Sequence, residues 1–133
     1  MPALPSEEAG AVLDATALKP YAGQHALAEF MNVPGVMFND TDALQKLADY
    51  SAQPIDGHAP LVSGDALNAL CAAGISTDHE CSTPEEALVK LRLGMTILIR
   101  AGSVGRNLEA LAPLLERELS GNICLCTDDR DPQ

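Results

Sequence analysis

Apolar and polar positions divide the chain into short runs of two kinds. From residue 54 onward, brief apolar stretches alternate with longer segments in which apolar residues recur every three or four positions. Pro54-Ile55 leads a short strand ending at Gly57-His58, Ile75 to His79 reads as a second, Met95 to Ile99 as a third and Ile123 to Cys126 as a fourth. The intervening segments carry helix patterns with start and stop signals. Ser63 is a candidate cap for a helix through Ala72, with Leu67, Leu70 and Cys71 inward and Gly74 at its end. Thr83-Pro84-Glu85-Glu86 is the sharpest local signal: a threonine cap, a proline in the first turn and a glutamate completing a capping box. That helix runs to about Leu93 and stops at Gly94. The pattern over 106–119 predicts a further helix with Leu108, Leu111, Leu114 and Leu115, kinked at Pro113 and closed by Gly121.

Upstream of residue 54 the pattern is less regular. A helix is predicted from Asp40 or Thr41 to about Ser51, with Leu44, Leu47 and Ala48 on one face. Residues 26–31 fit a strand or a helix, and Asn32, Pro34 and Gly35 punctuate the chain after them. Glu7 to Leu18 reads as a short helix. Strand ends at 58, 79, 99 and 126 lie 21, 20 and 27 residues apart. That is the rhythm of βα units around a parallel sheet, so the fold class is α/β. The apolar strands suit a sheet covered on both faces.

Composition narrows the function. The chain has 133 residues, too few for a complete eight-fold β/α barrel of about 250 residues. With 8 Lys plus Arg against 19 Asp plus Glu, the formal charge is -11. Such a surface repels phosphate backbones and anionic lipids, which argues against nucleic-acid or membrane partners. No apolar run approaches a membrane span and the N-terminus lacks signal-peptide character, so a cytoplasmic location is expected. The four cysteines, at 71, 81, 124 and 126, have neither metal-site nor secreted spacing and read as reduced thiols.

Chemistry collects at the strand ends. His58 and His79 close successive strands, Glu80 follows His79, Asp128 and Asp129 follow the last strand, and Glu29 ends the apolar segment 26–31. In parallel β/α folds the C-terminal strand ends share one mouth. Imidazoles with carboxylates there suit zinc, iron or manganese, and a carboxylate beside the metal can shuttle a proton. Asp56 and Asp78, just before the candidate histidines, read as turn residues in preference to supporting partners.

Across nearly its whole length the sequence resembles the adenine deaminase family of the metal-dependent amidohydrolase superfamily. The matching stretches run in order: Ala28-Glu29-Phe30-Met31-Asn32, Pro54-Ile55-Asp56-Gly57-His58-Ala59-Pro60, Asp78-His79-Glu80-Cys81, Lys90-Leu91-Arg92-Leu93-Gly94-Met95, Ile99-Arg100 with Gly102-Ser103, and Cys126-Thr127-Asp128-Asp129-Arg130. The resemblance implies a portion of a (β/α)8 TIM-like barrel, from about strand 3 or 4 to strand 8, with residues 1–133 forming a partial barrel domain. It implies that Glu29, His58, His79 and Asp128 are ligands of Mn2+ or Fe2+, binuclear in the family. Glu80 is then a proton donor, Asp128 a proton shuttle, and Arg100, Ser103 and Asp129 shape the pocket for adenine, which is hydrolysed to hypoxanthine and ammonia. Besides lacking the first strands and the β domain that flanks the barrel in the family, the sequence departs from it in three ways. The His-x-His of the first barrel strand has no counterpart, Ala101 stands where the family has Glu, and Asp131 where it has His. The expectation is a fragment with open sheet edges that associates with itself or with a missing N-terminal half. The alternatives are a non-catalytic remnant, or another amidohydrolase acting on a cyclic amide or amidine.

Overall fold

A computed structural model describes residues 12–116 and 118–131. Its centre is a five-stranded, wholly parallel sheet: β1 (Leu27–Phe30), β2 (Ile55–Gly57), β3 (Thr77–Asp78), β4 (Thr96–Arg100) and β5 (Ile123–Cys126). Spatial order equals sequence order, β1-β2-β3-β4-β5, with no reversal. The ambiguous segment 26–31 is thus a strand. The crossovers carry α2 (Val33–Met37) and α3 (Thr41–Asp49), then α4 (Gly64–Ala72), α5 (Pro84–Arg92) and α6 (Leu108–Leu111), while α1 (Ala15–Leu18) precedes β1. The predicted helix from Glu7 is represented by α1, and its residues before 12 lie outside the described part.

Alternation along β4 defines two faces. Ile97 and Ile99 are buried with Ala87 and Leu91 of α5 and with Leu111 and Leu114. Thr96, Leu98 and Arg100 point the other way. Register carries Asp56 and Thr77 of the neighbouring strands, and Cys126 of β5, onto that second face. A second core cluster joins Leu27, Phe30, Leu47, Ile55, Leu67, Leu70, Ile75 and Met95 under α2 to α4. Ile123 and Leu125 fall on the helix-bearing side of β5, and Leu125 is 64% exposed. Both β1 and β5 leave one edge unpaired among the described residues.

Local signals explain most element ends. Asp40 Oδ1 accepts the Ala43 amide at 2.8 Å and starts α3. Gly74 and Gly94 take φ of +93° and +87°, the left-handed turn that ends α4 and α5. Thr83 Oγ1 accepts the Glu86 amide at 3.3 Å, but the capping box is incomplete, because the Glu86 carboxylate binds the Ser82 and Leu61 amides and Lys90 instead. Thr83→Ala should cost about 1 kcal/mol in denaturant titration, the usual weight of a lost cap; no change in midpoint would show the cap idle.

Four further expectations need correction. The helix over 106–119 is broken: α6 stops at Leu111 and 3-10 turns follow over Ala112–Glu116 and Glu118–Asn122. Pro113 has no N–H and its ring crowds the carbonyl of residue 109. In α3 the buried face is Ala43, Lys46 and Leu47, whereas Leu44 is 36% exposed. Residues 33–37 form a helix where punctuation was expected. Asn32 Oδ1 accepts the Gly35 amide at 2.9 Å and Pro34 fits the first turn. Ser63 precedes α4 but makes no side-chain cap.

Candidate metal centre at the strand ends

His58 and His79 each sit one residue past a strand, so alternation turns their rings to the second face with Asp56 and Thr77. The His58 amide continues the ladder, donating to the Phe30 carbonyl at 3.1 Å. On β1, a register shift between Leu27 and Phe30 marks an irregularity that contains Glu29. One Glu29 oxygen, Oε1, accepts from His58 Nδ1 at 2.6 Å and from His79 Nε2 at 3.1 Å. The imidazoles meet edge to face with centroids 5.4 Å apart. One ligand atom from each of Glu29, His58 and His79 lies within 4.8 Å of the others. Two nitrogens and a shared carboxylate around one point suit a divalent transition metal.

The other ring nitrogen of His79 is held as well. Asp56 Oδ2 accepts from Nδ1 at 3.0 Å, while Asp56 Oδ1 accepts the Thr77 hydroxyl. His79 therefore faces a carboxylate on each side. The Asp56 hydrogen bond, helped by Glu29 and opposed by burial, pushes its pKa up to about 9. The carboxylate on Nδ1 also leaves Nε2 turned to the Glu29 carboxylate, the arrangement that would orient a ligating histidine. Asp56 is thus a site residue, not a turn residue.

Glu80 and Asp128 form the rim. Glu80 Oε1 lies 3.7 Å from His58 Nδ1 and 3.8 Å from His79 Nε2. Arg100 bridges Glu80 and Asp128, reaching Asp128 Oδ2 at 2.9 Å, while its Nε donates to Asn107 at 3.2 Å. Burial alone would lower the Arg100 pKa, but the neighbouring Asp128 and Glu80 raise it, so the guanidinium stays charged between the two side chains. Asp128 adopts φ +52° as the chain turns out of β5. Its ligand atom groups with those of His79 and Glu80, a second cluster that shares His79 with the one containing Glu29 and His58. A recess of about 270 Å³ connects Glu29, Asp56, His79, Leu98, Cys126 and Asp128.

Two pocket candidates stand apart. Ser103 Oγ accepts the Asp131 amide at 2.9 Å, and the Ser103 amide donates to the Asp129 carbonyl at 3.0 Å. Both tie the loop after β4 to the loop after β5. All four cysteines are free thiols. No helix among the described residues is long and apolar enough to cross a membrane.

Beneath the histidines lies a buried ion cluster that sequence reasoning missed. Lys90 and Asp78 are fully buried, and Lys90 Nζ donates to Asp78 Oδ2 at 2.6 Å, to the Ala59 carbonyl at 2.7 Å and to Glu86 Oε1 at 2.8 Å. Burial would lower the Lys90 pKa, but Asp78 and Glu86 raise it. Asp78 is therefore not a turn residue either. The i,i+4 spacing of Glu86 and Lys90 was the available signal.

No protein-family profile matches the chain. Its similarity to individual curated proteins is high. It is 53% identical to an adenine deaminase of Methylobacterium sp. (strain 4-46) and to one of Cereibacter sphaeroides (strain ATCC 17025 / ATH 2.4.3), and 50% identical to an adenine deaminase 1 of Agrobacterium fabrum (strain C58 / ATCC 33970). Each alignment covers 99% of this chain and 24% of the relative. The chain thus spans about a quarter of the length of the curated relatives it matches.

Proposed function

We propose that the chain, a homologue of one part of adenine deaminases, carries half of a metal-assisted site for hydrolysing adenine to hypoxanthine and ammonia. The observation supporting this most directly is the single Glu29 oxygen shared by His58 and His79 at the ends of adjacent parallel strands. The unreversed strand order fits an arc of a β/α barrel, whose second face would line the barrel interior. Glu29, His58 and His79 would hold manganese or iron, with Asp128 as a further ligand from the rim. When bound, the metal supplies Lewis acidity that makes water acidic enough to react near neutral pH.

The chain's own groups then divide the work. Asp56 keeps a proton on His79 Nδ1 and so keeps Nε2 directed inward. Asp128 accepts a proton from the attacking water, and Glu80 donates one to the purine ring. Water oxygen bonds to C6 and the bond from C6 to the exocyclic nitrogen breaks; the proton held by Asp128 leaves on ammonia, the ring keeps the one from Glu80, and Glu80 is reprotonated by the oxygen's second proton as the carbonyl forms. Arg100 holds both carboxylates in register. Ser103 and Asp129, which join the loops after β4 and β5, set the pocket wall beside adenine. The open edges of β1 and β5 would pair with the remainder of such an enzyme or with a second copy.

With three clustered ligands and an uncovered inner face, the chain alone should bind metal weakly and turn over little adenine. Two tightly bound metals per chain with robust hypoxanthine production would refute that. The deaminase reading itself is tested by a chimera in which this sequence replaces the matching quarter of the Methylobacterium relative. The chimera should bind metal and form hypoxanthine. A folded, metal-loaded chimera without activity would favour the non-catalytic alternative.

A further inference from the structure

We propose that Lys90 is a positioning residue that sets the separation of His58 and His79 by clamping the two loops that begin at them. This role rests on the deaminase reading for its catalytic meaning, but not for its geometry. The segments 59–61 and 80–82 are irregular, so strand and helix ladders do not hold them. One ion cluster does. The Ala59 peptide is gripped from both sides: its N–H donates to Asp78 Oδ1 at 3.1 Å and its carbonyl accepts from Lys90. Glu86 accepts the Leu61 amide at 2.7 Å through Oε1 and the Ser82 amide at 3.2 Å through Oε2. Asp78 also accepts the Glu80 amide at 3.4 Å and the Cys81 thiol at 3.4 Å. Lys90 Nζ, with all three hydrogens used, joins these acceptors into one body.

Stability alone is a weak reason for this arrangement. A buried ion pair is often no better than packed hydrocarbon of the same volume. What hydrocarbon cannot supply is a set of directed anchors on two separate backbones. His58 and His79 are the residues immediately before those anchors, and their nitrogens must meet at one Glu29 oxygen. A displacement of either loop would separate the two nitrogens.

The test uses the full 133-residue chain without metal or substrate. Long-range proton–nitrogen NMR reads the rings of His58 and His79, and the exposed His25 ring serves as an internal reference. Glu86→Gln should shift both site rings, leave His25 in place, and raise amide exchange at Leu61 and Ser82 roughly ten-fold, as expected when a hydrogen bond to a charged group is lost. Exchange at Ile97 and Ile99 should stay as in the parent. Lys90→Met should move the rings further, and if it does not fold, Glu86→Gln decides. The control is Lys46→Met. It removes another buried lysine, paired with Asp42 at 2.7 Å on α3, so it lowers stability without touching either loop. Site rings unmoved by Glu86→Gln, or moved equally by Lys46→Met, would overturn the proposal. Failure of the deaminase reading would appear in the chimera's hypoxanthine assay and would leave these ring signals unchanged.

Discussion

Asp78→Ala should lower the melting temperature by roughly 10–20 °C. Asp78 is fully buried and carries the closest contact of the Lys90 ammonium. Its removal leaves the buried ammonium with only Glu86 and the Ala59 carbonyl, and breaking a buried ion cluster by deleting one partner costs about 3–5 kcal/mol. It also strips acceptors from the Ala59 and Glu80 amides. Set against the ~5–15 kcal/mol that holds an ordinary domain together, the loss is large, and it converts to the stated shift for a chain of this size. The double change Asp78→Ala with Lys90→Met removes the ammonium that has lost its closest partner and should recover part of the loss. Denaturant titration of the three proteins measures this. A single variant within about 1 kcal/mol of the parent, or a double variant no better than the single, would contradict the account.

Gly102→Ala should reduce turnover of the chimera about a hundred-fold while leaving the histidine pair in place. A Cβ at Gly102 would stand 1.9 Å from the Thr127 carbonyl oxygen and 2.6 Å from that of Asp129. Both are backbone atoms, so the loop after β5 has to move as a whole. That loop is tied to the β4 end by the Ala101 amide on Cys126 and the Ser103 amide on Asp129, at 2.9 and 3.0 Å. Asp128 lies between these ties and loses its place beside Arg100. A displacement near 1 Å in a catalytic group commonly costs about two orders of magnitude in rate, and the overpacking costs about 1–3 kcal/mol of stability. Gly121→Ala, which meets nothing within 4 Å, is the matched silent change. Unaltered kcat in the Gly102→Ala chimera would remove Asp128 from the proposed chemistry.

Signals confined to one turn of chain were legible in the sequence. The Thr83 cap, the glycine ends at 74 and 94, and the short apolar runs that place His58 and His79 at strand ends all depend on neighbours within a few residues. The rule that parallel strands end at one mouth was enough to bring Glu29 to the same point, although it lies 50 residues before His79. Features set by tertiary packing were not legible. The buried face of α3 is displaced from the leucine pattern because Lys46 turns inward to Asp42 and Tyr50 reaches the Leu18 carbonyl at 2.9 Å. Nothing in the sequence marked Lys90 as buried, because lysine is almost always a solvent residue, and only Asp78 and Glu86 together make its burial tolerable. Asp56 had two readings, turn or support, and the choice depended on where the His79 ring pointed.

The unreversed order of the five strands has a consequence for biogenesis. Among the described residues, each of β2 to β5 pairs with the strand translated immediately before it. A chain leaving the ribosome can therefore complete each pairing as soon as its crossover helix has emerged, and no gap has to be held open for a later strand. Such sequence-local pairing keeps contact order low for a parallel sheet, so the sheet can grow by accretion from the N-terminal side. Glu29 on β1, and His58 and His79 just past β2 and β3, all precede β5 in the chain, so they would already be assembled before β5, with Asp128, is made.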